Sequence, residues 1–369
     1  MNCRKLKADV KKSSHPRAAR AAHNGVAGSV PFAELEAVAL GLMAEGEYEA
    51  ALPYLEQALA LNPTSAPTHC HLGQVYYARM MWREAEEQFR KALALDFNLL
   101  EAHFNLAVLC QRQRRFPEAL AFFKQVVMAE PSDWECFLRM GQCTAEMGNL
   151  RDAEAFYAEA LRLKPDSLEA VGGLAKVFLA TEQLDKAVNT LELGLRYHPE
   201  CTELRAALAH VYEQDGEYEK ALAQFYRLLK DNPEDAELHY HLGMCCVKLG
   251  LLREAEPLLA KASQLDPELL EAMEALAHLY LSTGREEEAI RTFEHRLQVE
   301  AGMMGSGVGI PRGGRVRILQ ELAECYVRRS DYVRARRLLE ECLALAPGQP
   351  EAQLLLARLD EGAKACEPG

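Results

Sequence analysis

The side chains best suited to chemistry in this chain are two histidine pairs and eleven cysteines. His69 and His71 flank Cys70, and His239 and His241 flank Tyr240. A histidine pair of this kind binds a divalent metal when carboxylates or thiolates complete the ligand set. Here the two pairs occupy equivalent slots 170 residues apart, so a repeating pattern explains them. No partner ligand accompanies either pair, and the expectation is no metal. The cysteines form no C-x-x-C pair, and the vicinal Cys245 and Cys246 read as core residues rather than a redox switch. Their odd number fits free thiols in a reducing compartment. The glycine-rich stretch Gly302–Gly313 could suggest a phosphate cradle, but no strand precedes it and no Gly-Lys-Ser/Thr follows. No nucleophile stands beside a base, so the chain is expected to be neither an enzyme nor a cofactor binder.

The elements that carry these residues are set by a period. Nine alanines (Ala51, Ala85, Ala119, Ala153, Ala187, Ala221, Ala255, Ala289 and Ala335) recur every 34 residues, with one slip of 12 before the last. Twelve residues before each stands a small residue: Ala39, Gly73, Ala107, Gly141, Ala175, Ala209, Gly243, Ala277 and Ala323. Four residues after each stands a bulky apolar one, Leu55, Phe89, Phe123 and so on to Leu339. Proline follows at twelve residues in seven of the nine cases, Phe97 and Ala301 being the exceptions. A fixed period of this length marks a repeat array.

Within one repeat, residues 66–99, Leu72, Gly73, Tyr76 and Tyr77 keep helical spacing, as do Ala85, Phe89, Ala92 and Leu93. Between the two halves, sister repeats carry Gly46, Gly148, Gly216, Gly250 or Gly284, residues able to end a helix in the left-handed conformation. The proline closes the second half, because it cannot continue a helix. Each repeat therefore reads as two antiparallel helices. The small residue should meet the alanine where the helices cross, and the bulky residue should fill the wedge against the next repeat. Glutamates at 101, 135, 169, 203, 237 and 271 fall in the first turn of the leading helix, where a carboxylate offsets the helix dipole and caps free N–H groups.

This pattern resembles the tetratricopeptide repeat, a helix-turn-helix unit of 34 residues, over residues 32–348. The tryptophan common early in that family's leading helix is replaced by histidine at positions 69, 103 and 239. The resemblance implies an all-α fold: an α-solenoid, wound as a right-handed superhelix of about nine repeats, plus a capping helix. The expected organisation is a basic disordered tail at 1–31, repeats one to eight at 32–301 and a glycine-rich loop insertion at 302–315. Repeat nine at 316–349, a capping helix at 350–361 and a second tail at 362–369 complete it. The resemblance also implies a non-enzymatic scaffold that grips a peptide or a partner's helix on the concave face lined by the leading helices. Carried onto this sequence, the family's groove positions give Gln74, Tyr77, Phe104, Val108, Gln111, Leu138, Gln142, Lys176, His210 and Tyr240. The family's clamp for a chaperone's terminal carboxylate is not matched, since Asn105 and Arg112 stand as isolated candidates.

Charge supplies the competing readings. The net charge of −13 is uneven, with seven Lys/Arg against one acid in residues 1–31 and 25 against 45 in residues 32–301. An acidic body of this kind argues against nucleic acid as the main partner. A second reading is a regulatory subunit that docks nucleic acid, lipid or a phosphorylated protein through the basic tail or a late arginine cluster. That secondary basic patch comprises Arg315, Arg317, Arg328, Arg329, Arg336 and Arg337. A third is self-association by end-to-end stacking of repeats. No run of 18 apolar residues is present and the first residues lack a secretory apolar stretch, so a cytoplasmic protein without a membrane span is expected.

Overall fold

The structure is a computed structural model that describes residues 30–305 and 312–365. Among these residues there are nineteen α-helices and no strands, and the chain divides into two compact units, residues 1–199 and 200–369. The first unit holds five helix pairs: α1 (Phe32–Ala44) with α2 (Tyr48–Leu61), α3 (Ala66–Ala78) with α4 (Trp82–Leu95), α5 (Leu100–Arg112) with α6 (Phe116–Ala129), α7 (Trp134–Glu146) with α8 (Leu150–Leu163), and α9 (Leu168–Ala180) with α10 (Leu184–Tyr197). The second holds four pairs: α11 (Thr202–Asp215) with α12 (Tyr218–Asp231), α13 (Ala236–Lys248) with α14 (Leu252–Leu265), α15 (Leu270–Ser282) with α16 (Glu286–Gly305), and α17 (Arg312–Arg328) with α18 (Tyr332–Leu345). A single last helix, α19 (Pro350–Ala365), packs on α18. Each unit is a solenoid of stacked hairpins.

Several helix starts are fixed by side-chain caps. Ser65, Asp133, Ser167 and Asp235 each accept a hydrogen bond from the N–H three residues on, at 3.0 to 3.4 Å. The first-turn glutamates sit where the sequence pattern puts them; before Glu135, Glu169 and Glu237 the preceding Asp133, Ser167 and Asp235 do the capping, whereas Leu99, Cys201 and Leu269 before Glu101, Glu203 and Glu271 offer no side-chain cap. The turns inside the pairs share one geometry. Gly46, Gly148, Gly216, Gly250 and Gly284 have positive φ, and so do the non-glycine residues in the same slot, Met80, Arg114, Glu182 and Ser330. At all nine turns the next N–H bonds the carbonyl five residues earlier, from Met81 to Tyr76 at 2.9 Å and from Gln183 to Phe178 at 2.8 Å, for example. This closure sets the conformation whatever the residue.

Helix ends follow the proline rule and its exceptions. With Pro63, Pro131, Pro165, Pro199, Pro233, Pro267 or Pro347 two residues on, each second helix stops at the same register. Phe97 replaces the proline after α4, which still stops because Asp96 turns its carboxylate back to the Asn98 N–H at 3.0 Å. Ala301 replaces it in α16, and there the helix runs on through Gly305. The expected loop at 302–315 is therefore absorbed into helix at both sides, since α17 already begins at Arg312. Residues 306–311 lie outside the described residues, as do 1–29 and 366–369 of the expected tails. The last helix also runs beyond 361, to Ala365.

The core is the crossing of the two helices. All nine period alanines are fully buried, and all nine bulky residues, from Leu55 to Leu339, are buried. The small residue of the leading helix meets the bulky residue itself. A methyl group on Gly73 would lie 2.6 Å from the Phe89 ring, and one on Gly243 would lie 2.7 Å from Leu259. Tyr157 touches both Gly141 of its own pair and Gly173 of the next, which is the wedge expected from the sequence. The histidines in the tryptophan slot have a plain structural use. His103 Nε2 donates to the Phe97 carbonyl at 2.8 Å and His239 Nε2 to that of Pro233 at 3.0 Å, pinning the loop before each leading helix. His69 Nε2 lies 3.1 Å from the Pro63 carbonyl in the same way, and Gln353 does the same for α19.

Two outcomes follow from this packing. Ala187→Asp places an unpaired charge at a fully buried crossing and is expected to cost more than ~3 kcal/mol in urea denaturation. Met80→Gly relieves a left-handed turn at an exposed side chain. It should raise stability by ~0.5–1 kcal/mol, the conformational strain removed less the extra freedom of glycine in the unfolded chain.

Candidate functional site

The leading helices of neighbouring repeats touch one another, α1 with α3, α3 with α5 and α7 with α9, so their side chains form one face in the first unit. Much of its polarity is already paired. Gln74, 8% exposed, donates Nε2 to Glu101 Oε1 at 2.8 Å. Gln111 Nε2 donates to Gln142 Oε1 at 3.0 Å, and Arg139 Nη1 to Gln111 Oε1 at 3.4 Å. Arg139 also binds Glu135 at 3.0 Å and covers the Phe104 ring with its guanidinium at 5.6 Å. Phe104 and Leu138, placed on the groove by position, are buried core. Phe104 packs edge-on against Phe123 with ring centres 5.8 Å apart. What the face leaves open or half-open is Tyr77, Val108, Gln111, Gln142 and Lys176. Tyr77 stands edge-on to Trp82 at 5.3 Å, and the Arg112 guanidinium lies 5.1 Å from that indole. The result is a mixed face, Tyr77 and Val108 among amides and Lys176, with Arg112 and Arg139 beside them.

In the second unit the expected residues His210 and Tyr240 come together with two others that sequence reasoning did not join. His241 Nδ1 lies 3.0 Å from Glu213 Oε2, and His210 Nδ1 lies 3.6 Å from the same oxygen. The two imidazoles meet edge-on at 4.6 Å, and His241 stacks on Phe225 at 5.3 Å with 13° between planes. Burial pushes the Glu213 carboxyl up, but the hydrogen bonds and charge of the two histidines outweigh it and bring the group down to about 2. Burial, followed by the nearby Glu271 and Glu213 carboxylates, raises the Tyr240 hydroxyl. The signal was in the sequence: positions nine and twelve of one repeat face position six of the next. His71 fills that sixth position too, but faces Leu40 and Met43 by the same rule.

The basic patch is occupied from within. Arg315 binds Glu341 at 2.7 Å, Arg328 binds Glu286 at 2.7 Å and Arg329 reaches Glu287 at 3.3 Å, while Arg317 pairs with Glu274. Arg336 also has a partner. Arg337 lies on the same helix, α18. Beneath the patch Arg296 and Glu300, 4% and 1% exposed, pair at 3.1 Å. Arg315 and Glu274 adjoin them, tying α16 to α17 and α15. This buried network sits where the helix outruns its missing proline stop, and the period did not reveal it. Eight of the nine cysteines among the described residues are buried as core, Cys201 being half-exposed. Burial pushes the Cys143 and Cys245 thiols up to about 12, and Cys246 beside Cys245 is also buried and raised. Thiols held protonated in this way are poor nucleophiles.

Hairpins stacked with a small-on-bulky crossing define a helical repeat protein. Sequence profiles described as Tetratricopeptide repeat match residues 42–98, 102–133, 144–211, 206–269, 250–301 and 316–359, and the chain belongs to that family. It is 35% identical over 80 residues to the type IV pilus assembly protein PilF of Pseudomonas aeruginosa, a match covering 22% of this chain. The chain thus spans only 32% of the length of that relative. The C-terminal part of a TPR repeat-containing protein from Cytophaga hutchinsonii superposes with a TM-score of 0.58 at 15% identity, over 68% of this chain and 97% of the other. The solved structure of Pseudomonas aeruginosa PilF gives a TM-score of 0.48 at 20% identity, over 55% of this chain and 92% of that one. Among the described residues no helix is long and apolar enough to cross a membrane.

The buried pair makes a sharp test of the second unit. Glu300→Ala leaves the buried Arg296 only the 3.7 Å contact with Glu274, and should cost ~3 kcal/mol in urea denaturation, the usual penalty for removing one half of a buried ion pair.

Proposed function

We infer that the protein is a non-enzymatic scaffold whose leading-helix face in the first unit binds a segment of another protein. The observation that carries this reading is the strip of Tyr77, Val108, Gln111, Gln142 and Lys176, exposed or half-exposed on successive repeats that pack side by side. Such a strip offers apolar burial at each repeat and amides able to exchange their mutual hydrogen bond for one to a peptide backbone. Summed over repeats, shallow contacts give useful affinity without a deep pocket. The family favours the same work, and the pilus assembly protein that matches over 80 residues makes a part in building an assembly a reasonable setting. Docking of an acidic or phosphorylated partner on the arginine patch is the weaker reading, because four of its arginines already hold glutamates.

The test is crosslinking capture with the full chain and with Val108→Glu/Lys176→Glu, both substitutions on exposed or half-exposed side chains. Circular dichroism should be unchanged, while capture of specific proteins should fall at least ~10-fold and should weaken little between 50 and 300 mM salt, in contrast to charge-driven binding. Undiminished capture by the variant removes this face as the docking surface.

A further inference from the structure

We propose that His210, Glu213 and His241 bind a divalent ion of the zinc class, joining the leading helices of two consecutive repeats in the second unit. The three side chains offer one donor atom each, two imidazole nitrogens and a carboxylate oxygen, all within 4.8 Å of one another. Donors held tetrahedrally at about 2.0–2.1 Å from zinc stand ~3.3 Å apart. The separations of 3.0 Å from His241 to Glu213 and 3.6 Å from His210 to Glu213 bracket that value. The third separation, between the two imidazole donors, lies within 4.8 Å, so closing the site also requires the two rings to draw together.

The surroundings favour a bound ion. His210 and Glu213 lie one turn apart on α11, so their spacing is fixed by the helix. His241 is held on α13 by stacking against Phe225 and by its neighbour Tyr240. Each neutral imidazole can carry its proton on Nε2 and turn an Nδ1 lone pair to the ion, so binding costs a change of tautomer. Two imidazoles with one carboxylate select zinc, cobalt, nickel or copper over magnesium or calcium. His210 is 47% exposed on its side chain, which leaves the solvent side open for water to complete the shell. By register the equivalent His71 stands opposite Leu40 and Met43, which supply no imidazole or carboxylate, and serves as an internal control. This site stands whether or not the first unit grips a peptide.

The experiment is calorimetric titration of the full, chelator-treated chain with zinc chloride, with magnesium chloride as the comparison. The expected result is one ion per chain, with affinity reduced at least ~10-fold in His241→Gln and in the exposed His210→Asn, and unchanged in His71→Gln. Magnesium should give no comparable heat. Cobalt(II) bound in the same way should lack a thiolate-to-metal charge-transfer band, which separates this site from zinc held by cysteines. Circular dichroism checks the fold of each variant, and His210→Asn carries the test if His241→Gln is destabilised. No binding at millimolar zinc, equal affinity in His210→Asn and the parent, or a thiolate band with cobalt would overturn the assignment.

Discussion

The close crossing of two helices at a small residue is the constraint from which the rest of the molecule follows. A bulky side chain such as Phe89 or Tyr157 can lie flat on the opposite helix only where that helix carries no obstructing Cβ or a single methyl. The fully buried alanine four residues earlier keeps the two backbones close on the same side. Packing interiors tolerate little volume change, so this pair of requirements is renewed in every hairpin. The left-handed turn and the proline stop then serve the crossing, because they fix the length of helix on either side of it. Where the proline is lost at Ala301, the helix overruns and a buried Arg296–Glu300 pair takes up the altered junction.

The crossing also decides which polar groups are left for function. Stacked leading helices bring the ninth and twelfth positions of one repeat against the second, sixth and ninth of the next. At Gln74–Glu101 and Gln111–Gln142 those contacts satisfy amides that would otherwise be stranded at a half-dry face. At His210, Glu213 and His241 the same geometry gathers three metal-type donors. One architectural rule thus yields an amide-edged strip in one unit and an imidazole–carboxylate cluster in the other. The acidic body uses its surplus carboxylates differently near the end of the chain, where they hold the arginines that a charge count alone would offer to a partner.

The sequence by itself determined the hairpins, their crossings and their stops, because each depends on residue size and backbone freedom at a fixed period. Ala187, Gly148 and Pro165 declare their roles without any neighbour being known, whereas Gly73, expected against the period alanine, lies against Phe89. The sequence read both histidine pairs, His69/His71 and His239/His241, as repeat pattern; the loop contacts of His69 and His239 fit that reading, while the cluster that His241 forms with His210 and Glu213 escaped it. The tertiary structure decided everything that depends on what stands across from a residue in another repeat. It placed Phe104 and Leu138 in the core, paired the arginine patch with glutamates, and joined His241 to residues 28 and 31 positions earlier rather than to His239. The division after Pro199 was equally invisible to a pattern that runs unbroken through it. The physical reason is the same in each case. Period reports the steric demands within a hairpin, whereas burial, ion pairing and ligand geometry are properties of two surfaces together.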